Sequence, residues 1–161
     1  MALLSDKEIN DLVVETKHLL PSHFIKTALK QKGVHKERTF EIIGDNGNRF
    51  CVIIRVSSIN ALAFSVILGL IEPTTGAVFR LRRYDGKSHE HTNKIEKEKF
   101  YDFHVHFATE RYQGLGLDED TFAKVDNRFA DYHEALLCLF NDCGFAYPAG
   151  SNLELFGDGL T

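Results

Sequence analysis

The chain has no tryptophan and a single methionine, against thirteen phenylalanines. Any core it builds must therefore rest largely on phenyl rings. Three prolines are too few for an extended, proline-rich linker. Cysteine is as scarce: Cys51, Cys138 and Cys143 form an odd set with no C-x-x-C pair. That argues against a disulfide scaffold and the usual zinc-ribbon spacing, and leaves reduced, buried thiols as the expectation. No apolar run is long enough to cross a bilayer, because the longest, 59–71, is interrupted by Asn60, Ser65 and Gly69. The opening MALLSDKEIN lacks the basic and apolar regions of a signal peptide, so the expected location is the cytoplasm, with no membrane partner. A basic excess is missing too: 19 Lys and Arg face 23 Asp and Glu, for a net charge of −4. A surface that binds nucleic acid all over is excluded, and any basic patch must be local.

The remainder is ordinary for a globular chain. With 161 residues, 43% hydrophobic and 26% charged, the composition predicts a single domain over 1–150 and a tail over 151–161 that frays. Ser5 and Glu8 match a capping box, and Ile9, Leu12, Val13, Thr16, Leu19 and Leu20 follow at helical spacing. A short second helix is expected over 23–32, closed by Gly33. From Arg38 the period becomes two. Segments 39–43 and 49–56 flank Gly44-Asp45-Asn46-Gly47-Asn48, a hairpin signal. Segment 60–71 reads as a central strand covered on both sides, 77–85 as a fourth and 100–109 as a fifth. Phe122, Val125, Phe129, Tyr132, Leu136, Leu137 and Phe140 then form a helical stripe that Gly144 would end. The expected fold is α+β: an antiparallel five-stranded meander with an N-terminal helix and a C-terminal helix packed on one face.

Chemistry concentrates in one stretch. His89, His91, His104 and His106, half of the eight histidines, fall within 18 residues. Alternation places Asp102, His104 and His106 on one face of the fifth strand, and Val78, Arg80, Arg82 and Tyr84 on one face of the fourth. If those faces coincide, a patch forms in which His104 and His106, with Tyr84, are the catalytic candidates. Arg80, Arg82 and Asn93 would bind substrate. Two imidazoles beside guanidinium groups suit acid–base cleavage of a phosphodiester, because their ordinary pKa of about 6.5 serves both proton transfers at neutral pH. A second reading is a divalent-metal site built from His104, His106, Glu110 and His91, since H-x-H followed by an acid is a ligand-like spacing. That spacing resembles part of the first cupin motif, without its flanking glycines. A solvated polar sheet face is the third reading.

Two resemblances bear on these options. Residues 81–86 (LRRYDG), 91–93 (HTN), 103–106 (FHVH) and 109–112 (TERY) together resemble small bacterial proteins that carry an Arg-Tyr-Asp-Gly turn, a His-Thr-Asn loop and a His-x-His strand. That family carries no activity to transfer. Arg83-Tyr84-Asp85 with His104 and His106 is similar to TumE-like toxins of bacterial toxin–antitoxin pairs, although Gly86 stands where those proteins usually have Asn. The second resemblance implies a toxin–antitoxin or phage-defence component acting on RNA, with a cognate antitoxin or neighbouring gene product as partner. It bears on His104 and His106 alone.

Overall fold

The computed structural model describes residues 3–25 and 29–148. Their order is α1 (Asp6–Val14), β1 (Lys17–His18), α2 (Ser22–Ile25), β2 (Lys30–Lys32), β3 (His35–Ile43), β4 (Arg49–Ser57), β5 (Phe64–Ile71), β6 (Val78–Asp85), β7 (His91–Thr92), β8 (Lys99–Phe100), β9 (His104–Phe107), α3 (Glu110–Gly114), β10 (Ala123–Val125), α4 (Tyr132–Asp142) and β11 (Phe145–Ala146). The α+β class holds, but the main sheet has seven strands where five were expected. Their order is β10-β9-β6-β5-β4-β3-β2, antiparallel throughout. The five anticipated strands are its centre, and β2 and β10 are the added edges. Two small pairs stand apart, β1 with β11 in parallel and β7 with β8 as a hairpin. Among the described residues no helix is long and apolar enough to cross a membrane.

The added edges correct two helix expectations. The segment read as a helix over 23–32 gives only the single turn α2 and then β2, with Gly33 in the β2–β3 turn at φ 61°. Residues 26–28 within it lie outside the described residues. The C-terminal helix starts at Tyr132, not Phe122, because residues 123–125 pair with β9 and Asp131 caps α4 through the Glu134 N–H. The first helix stops at Val14, so Thr16, Leu19 and Leu20 fall beyond it. Its capping box forms as expected. The tail over 151–161 lies outside the described residues.

The helices cover one face of the sheet. Ile9 and Val13 of α1 and Ala135, Leu136, Leu139 and Phe140 of α4 join one cluster with Phe40, Phe50, Val52, Ile54, Val66, Leu68, Leu81 and Tyr84. Each fully buried Val, Leu, Ile or Phe side chain among them contributes roughly 1.5–3 kcal/mol. β5 is buried on both faces, as its near-continuous apolar run demands, with Phe64, Val66 and Leu68 on the helix side and Ile67 and Ile71 on the other.

A bulge in β6 decides which charged residues reach that second face. Leu68 pairs with Arg82 and Gly69 with Arg80, so Leu81 is an extra residue. A bulge puts two successive side chains on one side. Leu81 and Arg82 both turn to the helix face, and Arg80, Arg83 and Asp85 turn to the other. The expected common face of Arg80, Arg82 and Tyr84 is therefore split, and the histidines meet Arg83 and Asp85 instead.

Candidate metal centre

Across β6 and β9, Asp85 lies opposite His104 and Arg83 opposite His106. The β7–β8 hairpin folds over this part of the sheet and lays His91 against both rings, with centroids 5.3 Å from His104 and 4.9 Å from His106. His104 and His106 are themselves 4.9 Å apart. His104 has no exposed surface and His106 only 3%.

The hydrogen bonds fix the proton on each ring. His104 Nδ1 is 2.7 Å from the Asp102 carbonyl and His106 Nδ1 is 2.7 Å from the Asp120 carbonyl. A carbonyl only accepts, so both Nδ1 atoms carry the hydrogen. His91 Nε2 lies 2.8 Å from Asn93 Oδ1. The Asn93 amide cannot flip, because its Nδ2 donates to the Ala123 carbonyl and its Oδ1 accepts from the Ala123 N–H. Nε2 is thus the protonated nitrogen of His91. When the rings are neutral, one nitrogen of each is a lone-pair donor: Nε2 of His104, Nε2 of His106 and Nδ1 of His91. Metal-ligating histidines are held the same way, with the second nitrogen donating to a carbonyl or amide oxygen. One ligand nitrogen from each of His91, His104 and His106 can be chosen so that all lie within 4.8 Å of one another.

A carboxylate lies beside the two strand histidines. Asp85 Oδ2 is 3.2 Å from His106 Nε2 and 3.6 Å from His104 Nε2, while Oδ1 accepts from the Ser65 hydroxyl at 2.7 Å. Burial would raise the Asp85 pKa, but His106, Arg83 and Ser65 outweigh it and hold the acid below the usual carboxylate range. Asp85 thus faces both Nε2 atoms at short range, and a proton on His106 Nε2 or a metal ion there supplies positive charge that favours its ionised form. His104 Nε2 is buried with no hydrogen-bond partner. The nearest cation is Arg83, whose Nη2 donates to His106 Nε2 at 3.2 Å. Its Nε and Asp120 Oδ2 are both buried without a hydrogen-bond partner, yet lie only 3.4 Å apart. A tetrahedral ion bound at about 2.1 Å places its ligand nitrogens about 3.4 Å apart, so the three rings close in by at most about 1.4 Å around it.

Burial also sets the acid response. It pushes the His104 pKa down to about 4, against the Asp102 carbonyl and Asp85, which favour the charged ring. Burial likewise lowers that of His91. Between the unfolded value of about 6.5 and the folded value near 4, the unfolded chain binds a proton that folded His104 refuses, so stability falls as acid is added. For the metal-free protein the expected loss between pH 7 and pH 5 is roughly 1–2 kcal/mol from this ring. Urea midpoints at the two pH values measure it. His104→Gln should show a smaller pH effect, and an equal one would refute the assignment.

The other expected site residues separate from this centre. Tyr84 is on the helix face, where its hydroxyl donates to Asp142 at 2.6 Å and burial raises its pKa. Arg82 is on that face too, its guanidinium 4.5 Å from the Phe107 ring centre. Arg80 shares the histidine face but is engaged by Asp118, Glu119 and Asp120. Asn93 is 1% exposed and committed to Ala123 and His91, which makes it a positioning residue and not a substrate contact. Glu110 is exposed at the start of α3, outside the cluster.

No family model, curated protein or solved structure matches this chain. The side-chain geometry therefore carries the functional argument.

Asp85, Arg83, Ser65 and Asp120 were missed by sequence reasoning. Asp85 and Arg83 stood in the quoted strand-end motif, and only the bulge at Leu81 brings them to the histidine face.

Proposed function

We propose that the protein acts through one divalent transition-metal ion held by His91, His104 and His106, with the Asp85 carboxylate beside two of the three rings and the fourth position open. The observation that carries this is the convergence of three imidazole rings that can each offer a nitrogen within 4.8 Å of the others, with one nitrogen of each ring held by a fixed oxygen. Imidazole and carboxylate together suit zinc, iron, nickel or copper better than magnesium or calcium. Structural zinc sites are usually closed by four ligands, commonly including cysteine. Here the cysteines are elsewhere, His91 is only partly buried, and Asp85 also lines an open cleft. The reading is therefore a catalytic centre. Such an ion supplies Lewis acidity and lowers the pKa of bound water to about 7. The chain's own part is to hold three neutral rings and to keep Asp85 ionised. The free thiols fit a reducing compartment such as the cytoplasm.

RNA cleavage by His104 and His106, in a toxin with an antitoxin partner, is the second reading. Its support is the Arg83 guanidinium against His106. It needs both rings within reach of a polymer, and their burial favours the metal. Elemental analysis of the purified protein, followed by cobalt(II) titration of the metal-free form, separates the two. The metal reading expects one ion per chain and a cobalt spectrum with nitrogen ligation. Trace metal, no cobalt binding and cleavage of RNA would reverse the choice.

A further inference from the structure

One polar row crosses four strands on the face away from the helices. Arg55 pairs with Ser65, Ser65 with Asp85, and Asp85 with His104. At its outer end a cleft of about 270 Å³ opens over Arg55, Ser65, Asp85, Gly86, Ser88 and His89. Asp85 lines the cleft and on its other side faces His104 and His106 at 3.6 and 3.2 Å, so it forms the wall between the cleft and the three histidines, and the His89 ring lies 6.3 Å from that of His104. From the geometry we infer that this cleft binds a small organic anion bearing a carboxylate, which Arg55 and His89 grip at one end while its other end meets the metal past Asp85. The inference rests on the metal reading.

Size and charge set the class. A volume of about 270 Å³ is at the bottom of the range for ligand pockets, which start near 300 Å³, and admits a molecule of only a few heavy atoms. Strands are spaced about 4.8 Å apart, so Arg55 and Asp85, two strands apart, are rooted about 10 Å from each other. A short dicarboxylate spans what remains once the arginine leans inward. Among the described residues, the only hydrogen bond of the Arg55 guanidinium is a long one, from Nε to Glu37 at 3.4 Å. Its terminal nitrogens therefore keep the planar fork that suits a carboxylate. With a divalent ion beside a single Asp85 carboxylate, the inner end of the cleft is net positive. Gly86 shapes the floor: a Cβ there would sit 1.9 Å from the Leu62 carbonyl oxygen, so only glycine lets β6 exit close against the β4–β5 turn.

The test is calorimetric titration of zinc-loaded wild type and Arg55→Gln with malonate, succinate, glutarate and inorganic phosphate, with zinc content measured on the same samples. Arg55 is half exposed, and a thermal melt confirms that the variant folds. The inference expects at least one dicarboxylate to bind saturably to wild type, about tenfold more weakly to the variant, with zinc per chain unchanged. It is overturned if no dicarboxylate binds below about 10 mM, if phosphate alone binds, or if the variant binds as wild type does. Should the protein take up no zinc, the metal reading fails, and the same titration of the metal-free chain still judges the cleft. Dicarboxylate binding lost in Arg55→Gln upholds the anion site, and no binding overturns it.

Discussion

Replacing His106 by alanine is expected to strip the protein of its metal, with affinity falling by well over 100-fold. The scale follows from milder changes: loss of a hydrogen-bond partner behind a ligand typically costs 10–100-fold, and loss of the ligand itself costs more. His106 is buried and donates to the Asp120 carbonyl, so the variant also loses some stability. His91→Ala removes that ambiguity, because His91 is partly exposed on the β7–β8 hairpin, outside the main sheet. It should fold as wild type and still fail to hold the ion. Asn93→Ser should give the intermediate result, about 10–100-fold, by freeing the His91 tautomer without touching a ligand. Glu110→Gln and Tyr84→Phe should leave affinity unchanged, since neither side chain joins the centre. Metal per chain after competition with a chelator of known affinity measures all five. Retention of a full equivalent by His91→Ala would remove the centre from consideration, whatever the other variants do.

The sequence made some of this legible. The Ser5–Glu8 capping box, the turn over 44–48 and the doubly buried strand expected over 60–71 each follow from local chemistry, and each is present, the strand beginning only at Phe64. His104 and His106 had to share a face in any regular strand, and they do. The losses have physical causes. An extra residue at Leu81 leaves no trace in the alternation, because leucine and arginine fit either side of a bulge, yet it exchanges Arg82 for Arg83 at the site. Residues 122–131 carry a helix-like apolar spacing, but β9 offered Ala123–Val125 an open edge and Phe129 reached the core without a helix. Tertiary pairing there overrode the local pattern. Bringing His91 over the other two histidines needed the hairpin and the two Asn93–Ala123 hydrogen bonds, contacts that span 30 residues.

Lys17→Met should cost about 3–5 kcal/mol of stability, because it removes several buried hydrogen bonds to a charged group, each typically about 1.5–3 kcal/mol. Lys17 is fully buried, and its ammonium donates to the carbonyls of Leu12, Val13, Glu15 and Cys143 at 2.8–3.1 Å, with the Phe50 ring 4.3 Å away. Two of these carbonyls lie in the last turn of α1, and the Cys143 carbonyl is at the cap of α4. Both helix ends carry partial negative charge that a cation offsets. Burial lowers the Lys17 pKa to about 8, which still leaves the side chain protonated at pH 7. A neutral amine would turn a lone pair toward one of the carbonyls, so the contact geometry also selects the ammonium. Methionine fills similar volume and donates nothing, leaving the four carbonyls without this donor. The site gives a sharper form of the prediction. Lys17 ties α1 and α4 together on the helix face, and the three histidines sit on the opposite one. A urea melt should therefore show the large loss while the folded variant takes up metal with unchanged affinity. A midpoint within about 1 kcal/mol of wild type would mean that the carbonyls find other donors and that the ammonium is not the clasp.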